Sequence, residues 1–243
     1  MKILVIGESC LDVFHYGECK RLCPEAPVPV FNSIETRENG GMAMNVYSNV
    51  REINPEVEII TNLNWAAIKK TRFVEVKSNH MFLRLDENDD KYSKFVFDSN
   101  KISKYDAVIV SDYNKGFLSV EDLILISESH PLTFLDTKKT LGNWSSSFTF
   151  VKINGVEYDK TAHTLTDAMK ENLIITKGKE GCVFKGEQFK VPFVEVKDVS
   201  GAGDTFISAL CCRFLETKDI VESIRFANDC ATMVVQKKGV STI

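Results

Sequence analysis

The chain has 243 residues, a length that fits one α/β domain with a full core. Its 30 Lys and Arg against 34 Asp and Glu leave a net charge of −4 and no basic block to track a nucleic-acid backbone, which excludes that partner. No segment reaches the roughly 18 consecutive apolar residues of a spanning helix, so no membrane partner is expected.

The chain opens on a short apolar run, Ile3 to Ile6, stopped by Glu8 and Asp12, which has the pattern of a buried strand and not of a signal peptide. Like runs recur at Val57–Ile60, Ala107–Val110, Leu132–Leu135, Phe148–Val151 and Leu173–Ile175. Helical spacing separates several of them, as in Met42, Val46, Val50 and Ile53, or Leu123 to Ser127. The alternation predicts an α/β fold, a mainly parallel sheet between helices. Ligands of such sheets bind outside the carboxyl ends of the strands. Gly7, Ser111, Asp112, Asp136, Asn154 and Lys177 all fall just after predicted strands.

A second kind of segment interrupts the alternation. Val13–Tyr16, Val28–Ile34, Thr71–Lys77, Met81–Leu85 and Tyr92–Phe97 have strand patterns without intervening helices. They predict a small extra sheet within about residues 12–38 and 71–98. Such a sheet leaves open edges and an apolar face, so a homodimer through it is expected, with Val28, Val30, Phe31, Phe73, Phe82, Phe95 and Phe97 on the covered face. The chain ends on two helical patterns, Thr205–Glu216 and Ile220–Lys237. With no repeat, low-complexity tract or linker, residues 1–243 are read as one domain carrying that small sheet.

Seven cysteines, an odd number at irregular spacing with Cys211 beside Cys212, suit reduced core thiols and a cytoplasmic location. Cys19 and Cys23 lack the second ligand pair that zinc requires, and the four histidines form no triad pattern. Neither a G-x-x-x-x-G-K-[ST] loop nor a G-x-G-x-x-G fingerprint occurs, so P-loop and Rossmann nucleotide binding are unsupported.

The stretch Asp198-Val199-Ser200-Gly201-Ala202-Gly203-Asp204-Thr205-Phe206 carries the most chemistry. Small residues ahead of a helix let backbone N–H groups approach an anion, and the helix adds its partial positive charge. Asp204 would sit beside that anion, able to take a proton from an attacking hydroxyl. A plain glycine turn with Asp204 at a helix start reads these four residues, Gly201 to Asp204, equally well.

That stretch resembles the C-terminal signature of the ribokinase (phosphofructokinase-B) family of sugar kinases. Gly7, Asp12, Gly40-Gly41 with Asn45, Asp136, Asn154 with Glu157, and Thr176-Lys177-Gly178 follow in the family's order. Within the family, Arg21 to Val30, Ser111-Asp112-Tyr113-Asn114-Lys115-Gly116, and Phe226-Ala227-Asn228 through Gly239-Val240-Ser241-Thr242-Ile243 are similar to segments of bacterial heptose-7-phosphate kinases.

The resemblance implies a ribokinase-like fold whose small sheet is a lid over the sugar. It implies ATP near Lys177, Gly178 and Asn228, with Asn154 and Glu157 organising magnesium and its waters; helix capping is the other reading of that pair. It gives Asp204 the role of base and the Gly201, Ala202 and Gly203 backbone that of anion hole. Asp12, Gly40, Gly41 and Asn45 would meet sugar hydroxyls, and Lys138 would offset phosphate charge unless it is simply solvated. Asp198 matches the family's monovalent-cation ligand, so potassium enters as a further cofactor.

The acceptor it implies is a sugar or sugar phosphate, best a D-glycero-D-manno-heptose 7-phosphate. Arg21, Arg72, Arg84 and Lys115 are the candidates for holding its phosphate. A kinase of another small alcohol, or a binding protein that lost turnover, stays open. One departure bears on this: Thr61–Lys70 is short where family members carry a longer βα unit, which puts the outer wall of the sugar pocket in question. The heptose enzymes often carry a nucleotidyl-transferring domain; no H-x-G-H segment occurs here, so that second activity is not expected of this chain.

Overall fold

The computed structural model of the chain describes residues 1–237, 239, 242 and 243, so Val240 and Ser241 of the C-terminal motif lie outside the described residues. The apolar runs become an eight-stranded sheet, since a run apolar on both faces is satisfied only between two covering layers. Its order is β12 (Glu187–Phe189), β11 (Cys182–Phe184), β10 (Leu173–Thr176), β9 (Phe150–Asn154), β8 (Thr133–Thr137), β7 (Ala107–Asp112), β1 (Ile3–Gly7) and β4 (Val57–Ile60). Every neighbouring pair from β10 to β4 is parallel.

The outer pair, β11 and β12, is an antiparallel hairpin that the apolar runs do not announce. Its turn, Lys185-Gly186, has φ of 50° and 79°, the left-handed pair that matches strand twist.

Alternate residues of β1 divide between two cores. Ile3 and Val5 pack with α1 (Ala43–Ile53), α6 (Ala202–Thr217) and α7 (Ile220–Val234). Leu4 and Ile6 pack on the other side, with Ile102 of α2 (Ser99–Ile102), Leu123 and Ile126 of α3 (Val120–Ser129), and Met169 of α5 (Asp167–Lys170). Helix α4 (Gly155–Thr161) leaves the end of β9 directly.

The second sheet has four strands in the order β3 (Pro29–Met42), β2 (Ser9–Leu22), β5 (Lys69–Glu75) and β6 (Met81–Glu87). β2 and β3 are each 14 residues long, well beyond the segments their patterns suggest. Most of β3 is exposed, so residues such as Glu35, Arg37 and Glu38 are held in a strand by pairing with β2 and carry no apolar signature. Tyr92–Phe97 corrects the expectation of a fifth strand. Tyr92 and Phe95 are buried in the main core, Phe95 against Phe117, and the segment runs as a strap whose Phe95 N–H donates to Phe117 O at 3.0 Å. Phe95 and Phe97 therefore belong to the core side and not to the lid face.

Helix α6 begins at Ala202, three residues before its apolar pattern, because Gly201 turns the chain at φ 82°, a left-handed conformation that disfavours side chains. Phe134 sits at the crossing of sheet and helices, fully buried, with ring centroids 5.5 Å from Phe150 and 6.0 Å from Phe214. Phe134→Ala is expected to cost about 3–5 kcal/mol in urea denaturation; a loss below about 1 kcal/mol would show that this packing does not hold the sheet to α6.

Candidate active site

Helices α1 and α6 bring two distant parts of the chain together. Thr205 Oγ1 donates to Asn49 Oδ1 at 2.9 Å, and Ser208 Oγ donates to Val46 O at 3.1 Å, both in buried positions. These contacts fix the register at which Asn45, one turn before Asn49, donates from Nδ2 to Asp204 Oδ2 at 2.7 Å. From the loop after β7, the Tyr113 hydroxyl donates to Asp204 Oδ1 at 2.9 Å. Burial pushes the Asp204 carboxyl up, and neighbouring Asp136 adds to that against the two hydrogen bonds and Lys152, leaving it at about 6.

Asp204 lies in the first turn of a 16-residue helix whose N-cap is Gly201 and which no side chain caps. Ala202 N donates to Val199 O at 3.3 Å, and the partial positive charge of the helix start faces outward with no side chain to meet it. The cap that the sequence leaves open for Gly201 to Asp204 is formed by backbone alone, and Asp204 spends its oxygens on Asn45 and Tyr113. A Cβ on Gly203 would fall 2.8 Å from Lys152 Nζ, so a side chain here would displace that ammonium group.

Two cavities meet here. One, of about 430 Å³, runs over the ends of β8 to β10 and includes Gly201, Ala202, Gly203, Gly178 and Asn228, with apolar walls from Val191, Phe193 and Val196. The other, of about 450 Å³, lies under the lid and includes Asp12, Gly41 and Asn45. Tyr113, Lys138, Gly201 and Asp204 line both.

The lidward cavity is strongly charged. It carries Lys70, Arg72, Arg84, Lys115 and Lys138 against Asp12, Asp86, Asp89 and Asp204. Arg72 pairs with Asp12 at 2.8 Å, Arg84 with Asp86 at 2.7 Å, and Asp89 with both Lys70 at 2.6 Å and Lys115 at 2.5 Å. Burial pushes the Asp89 carboxyl up, but the Lys115 and Lys70 ammonium groups overcome that and hold it at about 2. Arg21, in contrast, is exposed near the end of β2 and lines neither cavity. Gly41 lies against the Asp12 carboxylate, while Gly40 packs behind it on Met44. Met42, at φ 62°, carries the chain from β3 into α1 in a left-handed conformation that is strained for a side chain.

Asn154 and Glu157 close a capping box at the start of α4. Asn154 Oδ1 accepts from Glu157 N at 2.9 Å, and Glu157 Oε2 accepts from Asn154 N at 2.7 Å. Glu157 Oε1 accepts from Asn154 Nδ2 at 2.9 Å and from Lys138 Nζ, so Lys138 is ion-paired and not a solvated cation. Asn154 faces the 430 Å³ cavity. Asn228 is buried, its amide donating to Phe189 O at 3.1 Å. Lys177 is exposed and outside the lining, where Gly178 and Lys179 stand instead. Asp198 accepts from Ser200 N at 2.8 Å and lines a separate cleft against Phe14 and Tyr16 of the lid. Among the described residues no cluster of three or more His, Cys, Asp or Glu forms a metal cage.

The sequence reading missed Lys152. It is buried in β9, its ammonium group 2.8 Å from Asp136 Oδ2, and it lines the cavity beside Gly203. The apolar run that marks this strand stops at Val151, one residue short; its only sequence signal is a lysine two positions before Asn154. Asp136 Oδ1 is buried without a hydrogen-bond partner.

The chain matches the pfkB family of carbohydrate kinases over residues 33–243. It is 31% identical over 293 aligned positions to the Bifunctional protein HldE of Helicobacter pylori (strain J99), covering 98% of this chain and 63% of that protein. The chain therefore spans under two thirds of the length of that relative. Its fold is that of ribokinase from Thermotoga maritima (TM-score 0.74, 17% identity, 99% of this chain and 94% of the other) and of Arabidopsis thaliana ribokinase complexed with ribose and ATP (TM-score 0.69, 15% identity, 98% and 93%). The chain belongs to the pfkB family of carbohydrate kinases and has a ribokinase-like α/β fold. Among the described residues no helix is long and apolar enough to cross a membrane.

If Asp204, whose carboxyl is held at about 6, accepts a proton during turnover, kcat/KM is expected to fall about tenfold per unit as pH drops below about 6 and to level off above it. A profile flat from about pH 5 to 7 would mean that Asp204 does not titrate in the productive step.

Proposed function

We propose that the chain transfers the γ-phosphate of ATP to a hydroxyl of a phosphorylated sugar, with D-glycero-D-manno-heptose 7-phosphate as the acceptor. The observation that carries this reading is that the two cavities share Asp204 and Gly201, so an acceptor under the lid and a nucleotide over β8 to β10 would meet at one carboxylate and one helix N-terminus.

Asp204 takes the proton of the attacking hydroxyl, whose oxygen bonds to the γ-phosphorus as the bond to the ADP oxygen breaks. The Gly201, Ala202 and Gly203 amides and the α6 N-terminus stabilise the charge on the equatorial oxygens. Lys152, presented at Gly203, and Lys138, which faces both cavities, offset the same charge. Asn45 and Asp12 orient the sugar with Gly41; Gly40 supports that turn from behind. The apolar walls and Gly178 hold the base and ribose of the nucleotide; Asn228 fixes the β12 side of that cavity through Phe189, and Lys177 supports the adjoining turn.

The donor set fits magnesium carried through water. It is all oxygen: Asp136, whose Oδ1 is unpartnered, and Asn154 line one cavity, and the oxygens of Asn154 and Glu157 are engaged in the capping box. Bound with ATP, magnesium would neutralise triphosphate charge. Asp198 is the residue we assign to a monovalent cation such as potassium.

The phosphorylated acceptor is supported by charge: Arg72, Arg84, Lys70 and Lys115 gather in one cavity of a chain whose net charge is −4. It is also supported by the similarity to the Bifunctional protein HldE. We further read residues 1–243 as one cytoplasmic catalytic unit that pairs with a second copy through the lid. Leu83, Met81 and Phe82 on β6 are exposed there, and Phe31, Phe73 and Phe82 stack edge to face.

Asp204→Asn is expected to lower kcat by at least about 10²-fold while ATP still binds, as general-base loss does. ADP release across sugars and sugar phosphates checks the acceptor: heptose 7-phosphate should be fastest, and faster turnover of unphosphorylated ribose or a nucleoside would overturn that assignment. Light scattering at micromolar concentration should give a dimer, and Leu83→Lys a monomer; a monomeric parent chain would remove the lid interface.

A further inference from the structure

Tyr113 stands where the two cavities join, and it is held there from three sides. Its hydroxyl donates to Asp204 Oδ1 at 2.9 Å. Its ring lies under Lys138, whose Nζ is 5.5 Å from the centroid. Its backbone is fastened by Glu8: Tyr113 N donates to Glu8 Oε2 at 2.9 Å, and Lys115 N donates to Glu8 Oε1 at 3.0 Å. Glu8 is fully buried just past the end of β1, where burial and then Asp112 push its carboxyl up and these two N–H groups oppose them. A carboxylate buried to hold two backbone amides is a costly way to place a loop. A phenylalanine would fill the same space if only the ring mattered.

We propose that Tyr113 is a positioning residue for the base: its hydroxyl orients the Asp204 carboxylate and keeps it in the proton-accepting form, while Glu8 keeps Tyr113 in place. The proposal rests on the reading of Asp204 as the base. Asn45 on α1 supplies the other hydrogen bond, so each carboxylate oxygen bears one donor and keeps further acceptor positions for the incoming hydroxyl. The charged groups acting on Asp204 are Asp136 on β8, Lys152 on β9 and Lys138 just after β8, while Asp12 on β2 and Asp136 act on the Tyr113 hydroxyl. None of them is altered by removing one phenolic oxygen. Burial and Asp204 itself push the Tyr113 hydroxyl well above its ordinary value, so it stays a donor throughout the working range. The same loop carries Lys115 into the lidward cavity, against Asp89, which ties the base's orientation to the wall that meets the acceptor.

The test is Tyr113→Phe, with the Asp204 carboxyl followed by carbon-13 NMR and the pH profile of kcat/KM measured beside it. Loss of a hydrogen bond to an ionised carboxylate should move the Asp204 titration and the acidic limb upward by about one pH unit. kcat should fall about tenfold, with KM for ATP within about twofold. An Asp204 titration and acidic limb unchanged from the parent would overturn the proposal. If no sugar is turned over by the parent chain, the phosphotransfer reading fails on its own, and the NMR titration still decides the role of Tyr113. Should Tyr113→Phe not fold, Glu8→Gln carries the same test: it removes one acceptor from the loop clamp and should shift Asp204 in the same direction, and no shift would again overturn the proposal.

Discussion

A carboxylate buried at the N-terminus of an uncapped helix is a conflict that the rest of this molecule is arranged to hold. Burial drives Asp204 toward its neutral form, and Asn45, Tyr113 and Lys152 pull it back. Each of these comes from a different element: α1, the loop after β7, and β9. The parallel sheet is what allows that meeting, because its strand ends deliver Asp112, Asp136 and Asn154 to one edge while α1 and α6 cross above them. The result is a group poised near neutrality between two cavities, one walled by apolar residues and one by paired charges.

The lid contributes charge as well as cover. Arg72 and Lys70 of β5 and Arg84 of β6 reach carboxylates at or near the same cavity, and Arg72 also stacks over Phe14, 4.8 Å from its ring centroid. Arginine at two of these positions offers the planar fork that a phosphate dianion meets with two oxygens. Those cations are balanced by Asp12, Asp86 and Asp89, so an anionic acceptor would exchange protein carboxylates for its own oxygens. Exchange of this kind favours an acceptor with a full phosphate charge over a neutral sugar.

What was legible in the sequence follows from which residues carry a local signal. Gly201 to Asp204 stood out because small residues and an acid directly precede an apolar helical run, and the apolar runs placed Asp136 and Asn154 at strand ends. Lys152 was hidden, since a buried lysine in a strand has no pattern of its own and is tolerated only through Asp136, sixteen residues away. Tyr113 was visible as part of Ser111 to Gly116 but its partner was not, because the hydrogen bond to Asp204 spans 91 positions. The polar half of β3 and the three-residue strands β11 and β12 depend on pairing and leave no apolar period to read. Tyr92–Phe97 misled in the opposite way: its alternating aromatics serve a strap over the core. The short Thr61–Lys70 connection was legible as a departure, and in the fold it is a single turn at Trp65–Ala67 leading from edge strand β4 straight into the lid.

The proposed convergence of nucleotide and acceptor on Asp204, from opposite sides of Tyr113, is open to direct observation. A crystal structure of the chain with a non-hydrolysable ATP analogue, magnesium and heptose 7-phosphate tests it most directly. The γ-phosphate is expected on the Gly201, Ala202 and Gly203 amides, a sugar hydroxyl within hydrogen-bond distance of Asp204, and the acceptor phosphate among Lys70, Arg72, Arg84 and Lys115. A nucleotide bound away from α6, or an acceptor whose hydroxyls do not reach Asp204, would contradict it.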